Sequence, residues 1–369
     1  MRPKRPGPVM QIVGSLNEYG AEHFVSELSC ELDRLGVPVS ILTVRGPGKS
    51  VGSVRVISAN RRSRWEIGFF ARMVRSIREE KPSVVHTHGY HGKLWGRLAA
   101  RLAGVHNIVH TEHNSDFKSR VLQRVVNRAL HRSTGAIVTF SETLAARLER
   151  EDSVPRGRIV VIPNGVSPPE SRSARATLRI TPPIERGAKL ILHVGRLMKV
   201  KNQQLAIRVC RELYDVSPDQ RFYLLLAGSG QDEAELKRLA ERLGVADRVR
   251  FLGYRDDIDD LMQRSNVVLL TSLNEAMPLT LLEAMYVGTP IVTTPWLGAR
   301  EMLEDGRLGC IAEDYDPRTV AVTLMRFVED RESTMRAADA AFAAVRSRFD
   351  IRLTARQHAA LYARFTNAG

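Results

Sequence analysis

Short apolar runs alternate along the chain with longer segments whose apolar residues recur every three or four positions. Brief unbroken apolar runs suit strands covered on both faces, and helical periodicity between them suits crossover helices. The alternation therefore predicts βα units and parallel sheets. VMQIVGSL, PVSILTV, PSVVHTHG, NIVHTEH and GAIVTFS read as strands in the first half, with AEHFVSELSCELDRLG as a helix after the first of them. LILHVGRL, FYLLLAGSG, VRFLGY, NVVLLTS and PIVTTP repeat the pattern in the second half. Between the halves, VVIPNGVSPPE punctuates the chain with Pro163, Asn164, Gly165 and paired prolines. The expected fold class is α/β, with two doubly wound Rossmann-like domains, residues 1–164 and 165–349, facing across a cleft. Ligands are then expected at the carboxyl ends of the strands. There is no low-complexity tract or short-period repeat.

Composition narrows the class without changing the fold. The chain has 369 residues, 43% hydrophobic and 26% charged, within the range of soluble globular proteins. Cys30, Cys210 and Cys310 are widely separated, without metal or redox spacing, and fit a reducing cytosol. The basic opening MRPKRPGPVMQIVGSLNEYG lacks a signal peptide's apolar stretch, and no run approaches the roughly 18 apolar residues that span a bilayer. The expected location is cytoplasmic, peripheral on the inner face of the cell membrane.

Charge is unevenly distributed. Residues 1–164 carry 26 Lys and Arg against 14 Asp and Glu, a balance of +12; the remaining residues carry 29 against 27, a balance of +2. A basic half suits an anionic partner: nucleic acid, anionic lipid or a phosphate-bearing substrate. A solvated face with no partner is the plain alternative.

Candidate chemistry concentrates in a few turns. In NEAMPLTLLEAM, Pro278 suits the first helical position, with the helix ending at Gly288 before Thr289-Pro290. No capping side chain precedes Pro278, so the amides of Leu279, Thr280 and Leu281 are expected as free donors at a positive helix end, which suits phosphate. Glu275 would lie in the preceding loop and Glu283 about 7 Å along the axis; a loop glutamate and a surface glutamate are the bland alternative. In HVGRLMKVKNQQLA, Arg196 and Lys201 sit on a βα turn, a forked donor and a mobile point charge for phosphate oxygens. Gly20, in NEYGAEHFVSEL, lets backbone approach a ligand before a helix, but neither this turn nor Gly228-Ser229-Gly230 is a GxGxxG fingerprint.

Histidines crowd the first half at positions 86, 88, 91, 106, 110 and 113. His86 and His88 share a strand face, yet no carboxylate or cysteine stands at ligand spacing, and no metal site is expected. His113, at a strand's end, is placed to point into the cleft, with a satisfied loop histidine as the alternative. Asp257 and Asp259 form a D-x-D before an amphipathic helix, where complementing the helix dipole is the simpler reading than cation binding.

Taken together, Gly20-Ala21-Glu22, VVHTHG, IPNGV, VGR with Lys201, AGSG, FLGY and EAMPLTLLEAM resemble a retaining family 4 glycosyltransferase of GT-B architecture. The last run is similar to that family's E-x7-E motif. The resemblance extends in order over almost the whole chain, and the combination is specific where each piece is not.

The resemblance implies roles for particular residues. Arg196 and Lys201, with Gly195 and the amide of Gly20, would bind a donor diphosphate. Glu283 would hold the ribose, and backbone near Tyr254 would meet the base. Glu275, with the segment Met277, Pro278, Leu279 and Thr280, would hold the donor sugar, and His113 would lie near the reacting centre. The donor would be a UDP- or GDP-linked sugar, with no cofactor or metal, and the acceptor lipid-linked or a saccharide. The final helix, residues 350–369, resembles the segment that in this fold packs back on the first domain. The chain departs from the family pattern at Tyr19, at Ala276-Met277 and at Ser167, positions around the sugar pocket and the donor-side loop, and leaves the diphosphate clamp intact.

An anionic membrane surface is the expected partner of the basic half, with no nucleic acid. Arg120, Arg124, Arg128 and Arg132 recur every fourth residue and would form a basic stripe on a helix. Trp65, Phe69, Phe70, Met73 and Ile77 form an apolar stripe that reads as core. A sugar-nucleotide epimerase of the same architecture, or a non-enzymatic basic binding module, stays open as an alternative.

Overall fold

The computed structural model describes residues 6–16, 20–48, 50–63, 65–89, 92–113, 130–169, 180, 183–185, 187–217 and 220–366. Tyr19, His91 and three of the four ladder arginines, Arg120, Arg124 and Arg128, lie outside them. The chain divides into two compact units, residues 1–167 with 349–369, and residues 168–348.

The first unit is built on a seven-stranded sheet in the order β3-β2-β1-β4-β5-β6-β7. The strands are β1 (Val9–Val13), β2 (Val39–Thr43), β3 (Arg55–Ser58), β4 (Val84–His88), β5 (Ile108–Thr111), β6 (Ala136–Thr139) and β7 (Ile159–Val161), all paired in parallel. The second unit holds six parallel strands in the order β10-β9-β8-β11-β12-β13. These are β8 (Lys189–Val194), β9 (Phe222–Ala227), β10 (Val249–Gly253), β11 (Val267–Leu270), β12 (Ile291–Thr293) and β13 (Cys310–Ile311). In both sheets the chain steps outward over its first three strands and then returns to the far side of the first, which makes each sheet doubly wound.

Every apolar run read as a strand is one. Three strands carried no such signal. β3 and β7 are edge strands with mixed burial, and β13 has only two residues, neither of them buried. Edge strands need apolar cover on fewer sides, so their sequences stay mixed.

In the first unit the helix Ala21–Arg34 buries Phe24, Val25, Leu28 and Leu32. The helix Gly68–Glu80 buries Phe69, Met73 and Ile77 from the predicted apolar stripe. Trp65 does not belong to that core: it precedes the helix and is 79% exposed, while Phe70 is half-buried against the edge of Trp95. The helix Ile351–Thr366 belongs to this unit, packs on Ala21–Arg34 and buries His358, Leu361 and Tyr362. In the second unit the helix Gln203–Val216 covers the sheet with Leu205, Ile207, Val209 and Leu213.

The inward faces of β1, β4 and β5 are polar as well as apolar: Gln11, His86, Thr87, His88, His110 and Thr111 are all buried. Burial holds these rings neutral, because a cation there would lose its hydration. His110 and His358 are depressed to about 4, His113 and His131 to about 3, and His86 and His88 well below the ordinary imidazole value, with desolvation first in every case. No helix among the described residues is long and apolar enough to cross a membrane.

These rings make the first unit acid-sensitive. Unfolded, they take up protons as pH falls through about 6.5; folded, they stay neutral to lower pH. The unfolded state then binds more protons, and stability falls with pH by up to about 1.4 kcal/mol per pH unit for each ring. Thermal melts should show Tm falling steeply between about pH 7 and pH 5; a Tm flat over that window would contradict the buried neutral rings.

Candidate functional site

In the second unit the strand order turns at the pair β8 and β11, whose following connections leave toward opposite edges of the sheet. The space beyond their carboxyl ends is left uncovered by either crossover, which is where ligands settle on doubly wound sheets. The turn after β8 carries Gly195, Arg196 and Lys201, and the loop after β11 carries Thr271, Ser272 and Glu275.

Backbone packing fixes the first of these turns. Gly195 N–H donates to Ala227 O (2.9 Å), Leu197 N–H to Ser229 O (3.0 Å), and Gly228 N–H to Gly253 O (2.7 Å). The turns after β8, β9 and β10 are thereby laced into one surface. The contact excludes side chains: a Cβ on Gly228 would stand 2.1 Å from Gly195 O, and one on Gly230 would stand 2.2 Å from Leu197 O. This is the requirement behind the AGSG run, a close backbone approach rather than a dinucleotide fingerprint. Arg196 is exposed, and its carbonyl accepts from Gln203 Nε2 (2.9 Å).

Lys201 closes a short 3₁₀ turn, Lys199–Lys201, and Asn202 follows in the left-handed conformation (φ 52°) to start the helix Gln203–Val216. Leu273 N–H donates to Val200 O (2.9 Å), and the Thr271 hydroxyl donates to Asn202 O (2.9 Å), so the loop after β11 is tied to this turn. Beneath them His193 Nε2 lies 3.2 Å from the same hydroxyl.

That tie brings Lys201 and Glu275 together. Lys201 Nζ donates to Glu275 Oε1 at 2.5 Å, and Ser272 Oγ donates to the same oxygen at 2.8 Å. The lysine is 24% exposed and the glutamate 13%, so the pair is shielded yet reachable. Glu275 is therefore an ion-pair partner of Lys201 and not a loop carboxylate standing apart. Both its bonds use Oε1, which leaves Oε2 and the remaining Lys201 hydrogens available to a ligand among the described residues.

The run after Glu275 departs from expectation by one residue. The helix is Leu279–Val287, with Pro278 as its N-cap in extended geometry (ψ 125°), not its first helical residue. Leu281 N–H donates to Pro278 O at 3.1 Å, so that amide is not free as expected; the cause is a tight first turn. Gly288 ends the helix in left-handed geometry (φ 81°), as the sequence requires. Leu281, Leu282, Ala284, Met285 and Tyr286 are buried, and Tyr286 meets Phe342 edge-on at 6.3 Å. Glu283 is half-buried on the remaining side; Met277 and Pro278 are buried, and Leu279 and Thr280 are half-buried. Tyr254 follows β10 and is 46% exposed. Asp257 is ion-paired with Arg255 at 2.5 Å, and no group suited to a metal ion occurs among the described residues.

Two predicted residues belong to the first unit. Gly20 is exposed at the start of the helix Ala21–Arg34, with φ 55° and no side chain capping that end. His113 follows β5, half-buried, its ring edge-on to Phe24 (5.8 Å) and tilted against Phe140 (5.3 Å). The remaining predicted residues follow β8, β10 and β11 in the second unit.

Sequence reasoning missed the residues that support these groups. Thr271, Ser272 and Gln203 hold the Lys201 turn, and the hydroxyl pair directly after the apolar run NVVLL was the available signal. It also missed a buried charged cluster in the first unit, where Lys93 meets Glu112 and a fully buried Arg97 donates to Thr134 Oγ1 (3.3 Å). His86 and His88 are hydrogen-bonded to other side chains, His86 to Thr111 (2.7 Å) and His88 to Gln11 (2.7 Å).

Two family models match the chain: Glycosyltransferase Family 4 over residues 19–169, and Glycosyl transferases group 1 over residues 175–343. The D-inositol 3-phosphate glycosyltransferase of Streptomyces avermitilis is 31% identical over 198 residues, which is 50% of this chain and 42% of that protein. The chain thus matches less than half the length of that relative. Among solved structures, Anabaena HepE in complex with UDP and glucose superimposes with a TM-score of 0.82 at 21% identity, covering 96% of this chain and 99% of that one. Sucrose-phosphate synthase from Thermosynechococcus elongatus gives 0.83 at 20% identity, covering 98% and 100%. The fold is GT-B, each half a Rossmann-like parallel sheet.

The close approach at Gly230 is open to a direct test. Gly230→Ala forces backbone apart at Leu197 and should destabilise the protein by about 1–3 kcal/mol, with a lowered Tm. An unchanged Tm would mean that the two turns are not held together as described.

Proposed function

The chain belongs to the family 4 glycosyltransferases of GT-B fold, and we propose that it moves a hexose-type sugar from a UDP- or GDP-linked donor to a saccharide or lipid-linked acceptor, with retention and without a metal or other cofactor. The observation that carries this reading is the Lys201–Glu275 pair at the turning point of the second sheet.

Arg196 and Lys201, with the backbone of Gly195, bind the donor diphosphate. As the bond from the sugar's anomeric carbon to the diphosphate oxygen breaks, negative charge grows on the leaving phosphate. Cations already in place there stabilise that charge more than the substrate's, which speeds the step. The acceptor hydroxyl attacks from the face the diphosphate leaves, and its proton passes to the departing phosphate oxygen. Glu275, fixed by Lys201 and Ser272, offers Oε2 to a hydroxyl of the sugar, beside the backbone of Met277, Pro278, Leu279 and Thr280. Glu283 takes the ribose hydroxyls and the backbone near Tyr254 the base.

The basic balance of residues 1–164 supports an acceptor at an anionic membrane surface; in this reading the protein is cytoplasmic and peripheral, and the anionic partner is lipid and not nucleic acid. Reversing the charge of Arg120, Arg124, Arg128 and Arg132 should abolish binding to vesicles containing anionic lipid; unchanged binding would remove that surface from the reading.

Donor class is tested by thermal shift with UDP, GDP, ADP and their common sugars, beginning with uridine nucleotides. One nucleotide should raise the Tm of the wild type and raise that of Lys201→Ala and Glu283→Ala less. With the donor so found, Lys201→Ala should lower kcat on the order of 10²–10³-fold. Donor consumed without a transfer product would favour an epimerase, and an inverted product by NMR would overturn front-face transfer.

A further inference from the structure

His113 ends a continuous chain of buried hydrogen bonds that begins at the helix Ile351–Thr366. Gln11 Nε2 lies 3.2 Å from Tyr362 Oη, and Tyr362 Oη lies 2.6 Å from His86 Nδ1. His86 Nε2 is 2.7 Å from Thr111 Oγ1. On its other side, Gln11 Oε1 is 2.7 Å from His88 Nε2, and His88 Nδ1 is 3.0 Å from His113 Nε2. Apart from half-buried His113, every one of these side chains is buried.

A neutral imidazole donates through one nitrogen and accepts through the other, so a chain of this kind has only two self-consistent polarities. They differ by a flip of the Gln11 amide, and the distances choose between them. In the flipped form the amide nitrogen would face His88 Nε2 at 2.7 Å, at the short limit even for donation to oxygen. The amide oxygen would then take the Tyr362 hydroxyl at 3.2 Å, beyond the usual 2.5–3.0 Å of such a bond. In the other form both contacts fall within the N–H···O range of about 2.7–3.2 Å. Gln11 then donates to Tyr362 and accepts from His88 Nε2–H. His88 presents a bare Nδ1, and His113 must donate Nε2–H to it.

We propose that Gln11 and His88 are positioning residues that hold the single ring hydrogen of His113 on Nε2, so that Nδ1 is left as an acceptor for a ligand. Burial supports neutrality; His110 on β5 and His358 on the closing helix are themselves neutral near pH 7 and would oppose a charge on His113 only once protonated, Glu112 acts in the opposite sense, and Phe24 and Phe140 add no charge. Nδ1 makes no hydrogen bond among the described residues. An acceptor nitrogen selects a hydroxyl of a sugar and rejects a phosphate or carbonyl oxygen, which have no hydrogen to give. That use of Nδ1 rests on the glycosyl-transfer reading; the tautomer does not.

Long-range ¹H–¹⁵N spectra of the ¹⁵N-histidine-labelled full chain, with His113 assigned through His113→Asn, read the tautomer directly. At about pH 7.5 the wild type should show His113 neutral, protonated at Nε2 and bare at Nδ1. Gln11→Met and His88→Phe each remove the support, and should raise the Nδ1–H form about fivefold, the effect of losing roughly one hydrogen bond. His113 protonated at Nδ1 or cationic in the wild type overturns the proposal, as does an unchanged tautomer distribution in the folded variants. If one variant fails to fold, the other and the wild-type spectrum still decide. No sugar nucleotide is added, so the answer is independent of whether the donor screen succeeds.

Discussion

Parallel pairing constrains both units before any side chain is considered. A parallel strand must be reached by a crossover, and crossovers that run first to one edge and then to the other leave one pair of neighbouring strands whose following loops diverge. In the second unit that pair is β8 and β11. The tie between Thr271 and the Lys199–Lys201 turn and the ion pair of Lys201 with Glu275 lie at that divergence, and the glycine contacts brace the same turn against the one after β9. Chemistry gathers where the sheet cannot cover itself.

The two units meet that constraint with different materials. The second lines its turning point with backbone, using glycines to bring amides and carbonyls together and adding charge only at the rim. The first places imidazoles, an amide and hydroxyls on β1, β4 and β5 and meets them with a phenol from the closing helix, all buried where each must find a partner because none can reach water. The resulting network is directional, since a buried ring with one hydrogen dictates what its neighbour must do.

Much of the architecture was legible because parallel strands covered on both faces write themselves as unbroken apolar runs. β3 and β7 escaped because edge strands of only four and three residues carry too short and mixed a run, and β13 because two residues carry no pattern. Trp65 escaped in the other direction, its spacing fitting a helical stripe while the helix begins only at Gly68. That Arg196, Lys201 and Glu275 follow strands of the second sheet was legible from such runs. The ion pair of Lys201 and Glu275 was not, because it joins residues 74 apart in sequence and depends on how the Thr271 hydroxyl ties two loops. Nor does spacing reveal that Gln11, His88 and Tyr362 meet, since they come from β1, β4 and the closing helix.

That closing helix has a consequence for how the protein is made. The second unit is one uninterrupted stretch, residues 168–348, and is complete once that stretch has left the ribosome. The first unit is begun earlier but lacks Tyr362 and His358 until residues 349–369 have followed. Throughout synthesis of the second unit, Gln11 and His86 wait without the phenol they bond, and the side of Ala21–Arg34 on which the closing helix packs stays uncovered. The half begun first is thus the half finished last, and a nascent chain exposes that apolar and imidazole-lined surface to chaperones for the whole interval.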